Sequence, residues 1–156
     1  MKPIYFEIPF NGVKVSKAKF IIPKYTLPAK DWLFHNQIDI DDKNIEIFTF
    51  IRNPLERVIL QYKHQLKYRS ALRQYPMPFK EWCISSFNNS NVDKFMQNNP
   101  KEFLSQTAWI KGLNKVIKLY PCEQLFFLND FFDNSSRLTV KNYYKSDFKK
   151  FSNVYF

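Results

Sequence analysis

The chain has 156 residues, of which 45% are hydrophobic and 19% are aromatic, so it is long enough for one domain with a substantial core. No segment approaches the ~18 consecutive apolar residues of a membrane span, and Met1-Lys2-Pro3 leads into a strand, not a signal peptide. We therefore expect a single cytoplasmic domain over residues 1–156. The formal net charge of +10 predicts an anionic partner, although dispersed lysines are equally typical of a solvated basic surface.

Strands alternate with helices along the chain, which predicts an α/β fold with a parallel sheet covered by helices on both faces. The predicted strands are Lys2–Ile8, Ile45–Ile51 and Val116–Tyr120, with a further extended segment at Ile21–Tyr25. The predicted helices are Pro28–His35, Pro54–Arg73, Phe79–Phe87, Asn129–Phe132 and Val140–Phe151. The stretch Asn88–Asn99 is rich in asparagine and is predicted to be a loop.

The junction after the second strand is the most informative part of the sequence. The buried strand Ile45–Ile51 stops at Arg52, and a helix begins at once with Asn53 as its N-cap and Pro54 at its first position. Glu56, three residues past the cap, predicts a capping box. Free backbone N–H groups, the helix dipole and a guanidinium group converge at such a junction, which favours a phosphate site. An ordinary β–α junction that happens to contain an arginine is the alternative.

The segment F-T-F-I-R-N-P-L-E-R-V-I-L-Q-Y, residues 48–62, resembles the 3′-phosphate-binding motif of sulfotransferases that use 3′-phosphoadenosine-5′-phosphosulfate (PAPS). The resemblance implies a P-loop-like sulfotransferase fold of three layers, with Arg52 and Arg57 as cofactor-binding residues. Tyr62 also matches the motif. Leu60 departs from it, because the family has a serine there that donates to the phosphate and leucine cannot donate.

The start of the chain, K-P-I-Y-F-E-I-P-F-N-G-V-K-V-S, resembles the loop with which this family binds the 5′-phosphosulfate. The resemblance implies cofactor contacts from Asn11, Gly12, Lys14 and Ser16. Phe10 stands where the family has a lysine that stabilises charge on the transferring sulfuryl group, and Lys14 is the candidate to replace it. A rival placement at Ile21–Thr26 keeps a lysine but has no glycine and lies too close in sequence to the second motif.

Lys14 is predicted to stabilise charge during the transfer. Three residues are considered as the general base toward the acceptor: Glu7, His35 and His64. Glu7 lies where the first strand meets the loop, and His35 follows the first helix. His64 is about 18 Å from Arg52 along the helix, at ~1.5 Å per residue, which argues against it. Cys83 and Cys122 have no histidine or cysteine nearby in sequence, so no metal is predicted.

Later segments match the family in the right order, among them P-F-K-E-W, S-Q-T-A-W-I and Y-Y-K-S-D-F-K-K-F. Three functions remain open. The first is transfer of a sulfuryl group from PAPS to a hydroxyl or amine on an unknown acceptor. The second is a catalytically inactive protein of this fold with a structural or interaction role in a larger assembly, bacterial or viral, and virion-associated if viral. The third is a basic, aromatic nucleic-acid binder, for which no motif speaks.

Overall fold

The computed structural model describes residues 2–11, 13, 15–23, 28–69, 72, 74–88, 103–113 and 117–155. Several predictions from the sequence lie outside these residues: Gly12 and Lys14 in the loop, most of the Asn88–Asn99 loop, and residues 24–26 of the rival placement.

Three parallel strands form the sheet in the order β1-β2-β3: β1 is Ile4–Tyr5, β2 is Ile47–Ile51 and β3 is Ile117–Pro121. Ile4 pairs with Ile47, and Ile47 in turn pairs with Ile117. The α/β class and the parallel pairing of β1 with β2 are thus confirmed. The first strand is shorter than predicted, although Phe6 still donates its N–H to the Phe48 carbonyl (3.0 Å).

The outer edge of β3 has few free donors. The Cys122 N–H donates to the Ile51 carbonyl (2.9 Å) of β2. Backbone N–H groups alternate in direction along a strand, so the backbone nitrogens at positions 117, 119 and 121 point away from β2. The Ile117 N–H is bonded to the Leu113 carbonyl (3.0 Å), and Pro121 has no N–H.

Seven helices occur among the described residues: α1 Ala29–His35, α2 Pro54–Tyr68, α3 Phe79–Phe87, α4 Gln106–Trp109, α5 Asn134–Tyr143, α6 Lys145–Lys150 and α7 Ser152–Tyr155. A 3₁₀ turn spans Leu128–Asp130. The bounds of α1 and α3 agree with the sequence. The prediction that α2 reaches Arg73 is wrong, because Arg69 is extended (φ −102°, ψ 113°) and ends the helix. None of the described helices is long and apolar enough to cross a membrane.

The C-terminal helices were placed wrongly from the sequence. The predicted helix Asn129–Phe132 is a 3₁₀ turn, and the predicted helix Val140–Phe151 is divided between α5 and α6. The reason is the cap of α5: the Asp133 carboxylate accepts from the Ser136 N–H (2.8 Å), while the Ser136 hydroxyl accepts from the Asp133 N–H (3.0 Å). This reciprocal pair of hydrogen bonds starts the helix at Asn134, ahead of Val140, where the sequence pattern predicted the start.

Two hydrophobic cores hold the chain together. In the first, the sheet face that carries Ile4, Ile47 and Ile51 packs against α1, α4 and α7. The second lies among α2, α3 and α5 and is centred on Trp82, which is fully buried. All the helix residues in the first core pack on the sheet face that carries Ile47. The expectation that helices cover both faces of the sheet therefore stays a prediction.

The Asp133 cap predicts a pH dependence of stability. Hydrogen bonds from Ser136 lower the pKa of the Asp133 carboxyl below its ordinary 3.8. A carboxyl whose folded pKa is depressed stabilises the protein above its unfolded pKa, and this contribution is lost as the pH falls below 3.8 toward the folded pKa. Asparagine also caps helices but does not titrate. We expect Asp133→Asn to lose less stability than the parent between pH 5 and 2, measured by urea unfolding; equal losses in both proteins would contradict the cap's role.

Candidate functional site

The site is centred on Arg52, which follows the last residue of β2 at the carboxyl edge of the sheet. Its Nε and one terminal nitrogen donate to the Asn11 carbonyl (2.8 and 2.7 Å) in the loop after β1. The other terminal nitrogen donates to the Glu56 carboxylate (3.1 Å) and to the Glu123 carbonyl (2.8 Å). Four of the five N–H groups of a guanidinium are thus directed at protein acceptors. The side chain is 3% exposed, so Arg52 joins three segments of the chain.

Arg57 makes a second attachment of the same kind. Its Nε and one terminal nitrogen donate to the Pro9 carbonyl (3.1 and 2.9 Å), and the other terminal nitrogen reaches the Leu104 carbonyl (3.4 Å). The guanidinium lies 5.8 Å from the centre of the Tyr144 ring and is fully buried. The two cofactor-binding arginines predicted from the sequence therefore both bind carbonyl groups of the loop that was predicted to bind the same cofactor.

Glu56 has a different role from the capping box predicted for it. One carboxylate oxygen accepts from Arg52, and the other accepts from the N–H groups of Leu125 (2.6 Å) and Phe126 (2.8 Å) beyond β3. The cap itself is confirmed in Asn53, whose side chain accepts from the Leu55 N–H (2.9 Å). Glu56 misses the capping-box geometry because a buried cation and two backbone donors compete for it.

Sequence reasoning missed the polar residues that complete this edge. The Gln106 amide accepts from the Arg52 N–H (2.9 Å), donates to the Arg52 carbonyl (2.7 Å) and accepts from the Asn11 amide (3.0 Å). Asp147 in turn accepts from the backbone N–H groups of Gln106 and Thr107. These side chains are buried. Gln106 and Asp147 lie in two of the later segments that match the family, but their contact with the edge could not be predicted, since Gln106 lies 54 residues from Arg52.

Phe10, at the position of the family's lysine, has an unusual backbone conformation. Its φ of +65° is in the left-handed region that bulky residues avoid. Arg57 binds the Pro9 carbonyl in the peptide group before Phe10, and the Asn11 N–H in the peptide group after it donates to the Ile8 carbonyl (3.3 Å), which explains how this strain persists. The ring lies 5.3 Å from that of His64. The sequence argument that His64 is too far from the loop is therefore wrong, because the loop extends along α2.

Three further predicted site residues lie within the part of the chain that the structure describes: Glu7, Ser16 and His35. Glu7 is half-buried, and its charge adds to the burial that raises the pKa of Tyr5. Ser16 is exposed. His35 lies on a separate surface groove with Phe34, Gln37, Ile38 and Asp39. Among the residues that the structure describes, no group of acidic, cysteine or histidine side chains could hold a metal ion.

A cavity of about 140 Å³ opens at the first turn of α2, lined by Asn53, Glu56, Cys122, Gln124 and Leu128. Burial raises the pKa of the Cys122 thiol to about 11 despite the lowering effect of Arg52, so the thiol is protonated and unreactive at neutral pH. Ligand pockets commonly measure ~300–1,000 Å³. The cavity is too small for PAPS, and the guanidinium groups beside it are already bound. The described residues in this arrangement do not fit the whole cofactor.

The contacts of Arg52 predict a structural effect of its removal. We expect Arg52→Ala to lower the free energy of unfolding by about 3–5 kcal/mol, because it leaves the Glu56 carboxylate buried without its cation. Urea unfolding followed by circular dichroism measures this. The matched control is Lys118→Ala, which breaks the exposed Lys118–Glu46 pair (3.0 Å) and should change stability little. Equal losses in the two variants would show that the buried pair is not important for the fold.

Comparison of the chain with protein-family models, with curated proteins and with solved structures finds no match. The resemblance to PAPS-dependent sulfotransferases accordingly depends on the motifs at residues 2–16 and 48–62 and on the order of the later segments. The α/β architecture and the contacts at the carboxyl edge depend on the structure alone.

Proposed function

We propose that this chain is a sulfotransferase-like protein, built on the arrangement that transfers a sulfuryl group from PAPS to a hydroxyl or amine acceptor. The observation that carries the proposal is the contact between the two motif segments. Parallel pairing of β1 with β2 brings the loop after β1 against the first turn of α2, where Arg52 and Arg57 bind it. Ligands of open α/β sheets bind at this carboxyl edge.

The state of Arg52 favours a second candidate within this proposal, a catalytically inactive protein with a structural or interaction role. A phosphate would have to draw Arg52 from Glu56, and separating a buried ion pair costs about 3–5 kcal/mol. A hydrogen bond to a charged group returns only about 1.5–3 kcal/mol. The ion pair therefore prevails unless other groups of the loop contribute to the binding of the nucleotide.

The two departures from the family motif also favour slow or absent transfer. Phe10 offers nothing to a developing negative charge, and Leu60 cannot donate to a phosphate. Loss of one preorganised donor typically lowers the rate by about 10²–10³. Sulfuryl transfer depends mainly on positioning and charge stabilisation. The missing lysine and serine would therefore slow the transfer step itself.

Titration calorimetry with adenosine 3′,5′-bisphosphate, the nucleotide product, tests the proposal. We expect weak binding to the parent chain and tighter binding to Phe10→Lys combined with Leu60→Ser, because these changes restore a cation and a donor. Tyr75→Lys is the matched control: it also replaces an aromatic residue with a lysine, at an 80% exposed position away from the edge. Arg52→Ala is unsuitable here, since lost binding would reflect unfolding.

The outcomes separate the candidates. Absence of binding in both the parent and the restored variant would refute a nucleotide site, and the fold would then serve protein partners. Binding without turnover in a radiolabelled PAPS assay supports the inactive candidate. Turnover of the parent at an ordinary enzymatic rate of about 1–10³ s⁻¹ would establish the active one.

A further inference from the structure

The sheet face opposite the Ile47 core carries a layer of aromatic side chains. Phe48 and Phe50 come from β2, Tyr5 from β1 and Tyr120 from β3, because successive residues of a strand point to opposite faces. Phe20, which ends the turn before the Ile21 bridge, joins them. Tyr5, Phe48 and Phe50 belong to the motif segments, but the resemblance assigns no ligand contact to their rings.

The aromatic layer is fixed by its own packing. Phe48 stacks on Tyr5 with ring centres 5.3 Å apart, and Phe20 meets Phe48 edge-on at 5.2 Å. Tyr120 lies 6.1 Å from Phe48 and 5.8 Å from Phe50. Phe48 is 7% exposed whereas Tyr120 is 43% exposed. Tyr5 and Phe48 are thus the buried part of the aromatic layer, Phe20 and Phe50 are half-buried, and Tyr120 is its most exposed ring.

A cavity of about 230 Å³ lies against this layer, lined by Pro3, Phe20, Glu46, Phe48 and Tyr120. At ~30 Å³ for each water molecule of the liquid, its volume corresponds to roughly eight waters. That is enough for a small head group and less than the ~300–1,000 Å³ of common ligand pockets.

The cavity has one acidic side chain among its described lining residues, Glu46, in a chain whose formal net charge is +10. The Lys118 ammonium lies 3.0 Å from the Glu46 carboxylate, but both side chains are well exposed, at 61% and 48%. Exposed ion pairs contribute little free energy, so a cation from solution can take the place of Lys118.

The geometry points to a binding site for a small organic cation, an alkylammonium head group, between the aromatic layer and Glu46. Ring faces attract a desolvated ammonium group, and a carboxylate beside them supplies the counter-charge. An anion would meet the Glu46 carboxylate there. The site is independent of the PAPS proposal.

The test is a titration of the full chain with tetramethylammonium chloride at constant ionic strength, followed by NMR. We expect saturable binding in the millimolar range. The uncharged probe tert-butanol has a similar shape and should bind more weakly, because it lacks the charge that the rings and Glu46 recognise. Equal affinity for the two probes, or no saturation up to about 0.1 M tetramethylammonium, would overturn the proposal.

Four surface variants assign the contacts. Tyr120→Ala and Glu46→Gln should each weaken binding by about two- to fivefold. Lys118→Gln should strengthen it, because it removes the internal competitor for Glu46. Tyr75→Ala, at an 80% exposed aromatic residue elsewhere, should leave it unchanged. Weakening by Lys118→Gln, or equal effects of Tyr120→Ala and Tyr75→Ala, would overturn the assignment.

Discussion

The buried ion pair between Arg52 and Glu56 is the interaction on which the rest of the structure depends. Arg52 attaches the loop after β1 and the segment after β3 to the end of β2, and Glu56 binds the backbone of that same later segment. Neither charge is tolerable alone in the interior, so each is stable only while the other is present. The sheet has three strands, so apolar packing on it is limited in area. The ion pair adds polar contacts that hold the segments after β1 and β3 to the end of β2.

The same pair limits what the edge can do. A guanidinium that binds backbone carbonyls is preorganised for them and has one N–H group left for a ligand, because its planar fork points in fixed directions. Phe10 belongs to the same arrangement, since Arg57 binds the peptide group before it and the Asn11 N–H after it donates to the Ile8 carbonyl, so its left-handed backbone is held in place. Function at this edge therefore has to come from backbone donors and from residues that the loop itself provides.

The sequence predicted those parts of the fold whose signals are local. Asn53 and Pro54 define the start of α2, and the apolar run before them defines β2. Apart from Glu56, four residues on, the partners of Arg52 could not be predicted, because they lie 41 to 71 residues away and each contact exists only once the chain is folded. α5 was placed too late, because the Asp133–Ser136 capping pair outweighs the weak helix propensity of Asn134 and Ser135. The sequence pattern identified Arg52 and Arg57 as residues of the edge. Whether an arginine binds a ligand or backbone carbonyl groups depends on its burial, which a local pattern does not reveal.

The outer edge of β3 has a consequence for self-association. Of its three outward-facing positions, one has its N–H bonded within the chain and another is proline, so two have no N–H to offer to a further strand. A neighbouring molecule that tried to extend the sheet along β3 would find one backbone N–H donor, at Leu119, where a ladder needs several. Pairing of another strand along β3 is thereby weakened, because the carbonyl groups of an incoming strand would lack donors there.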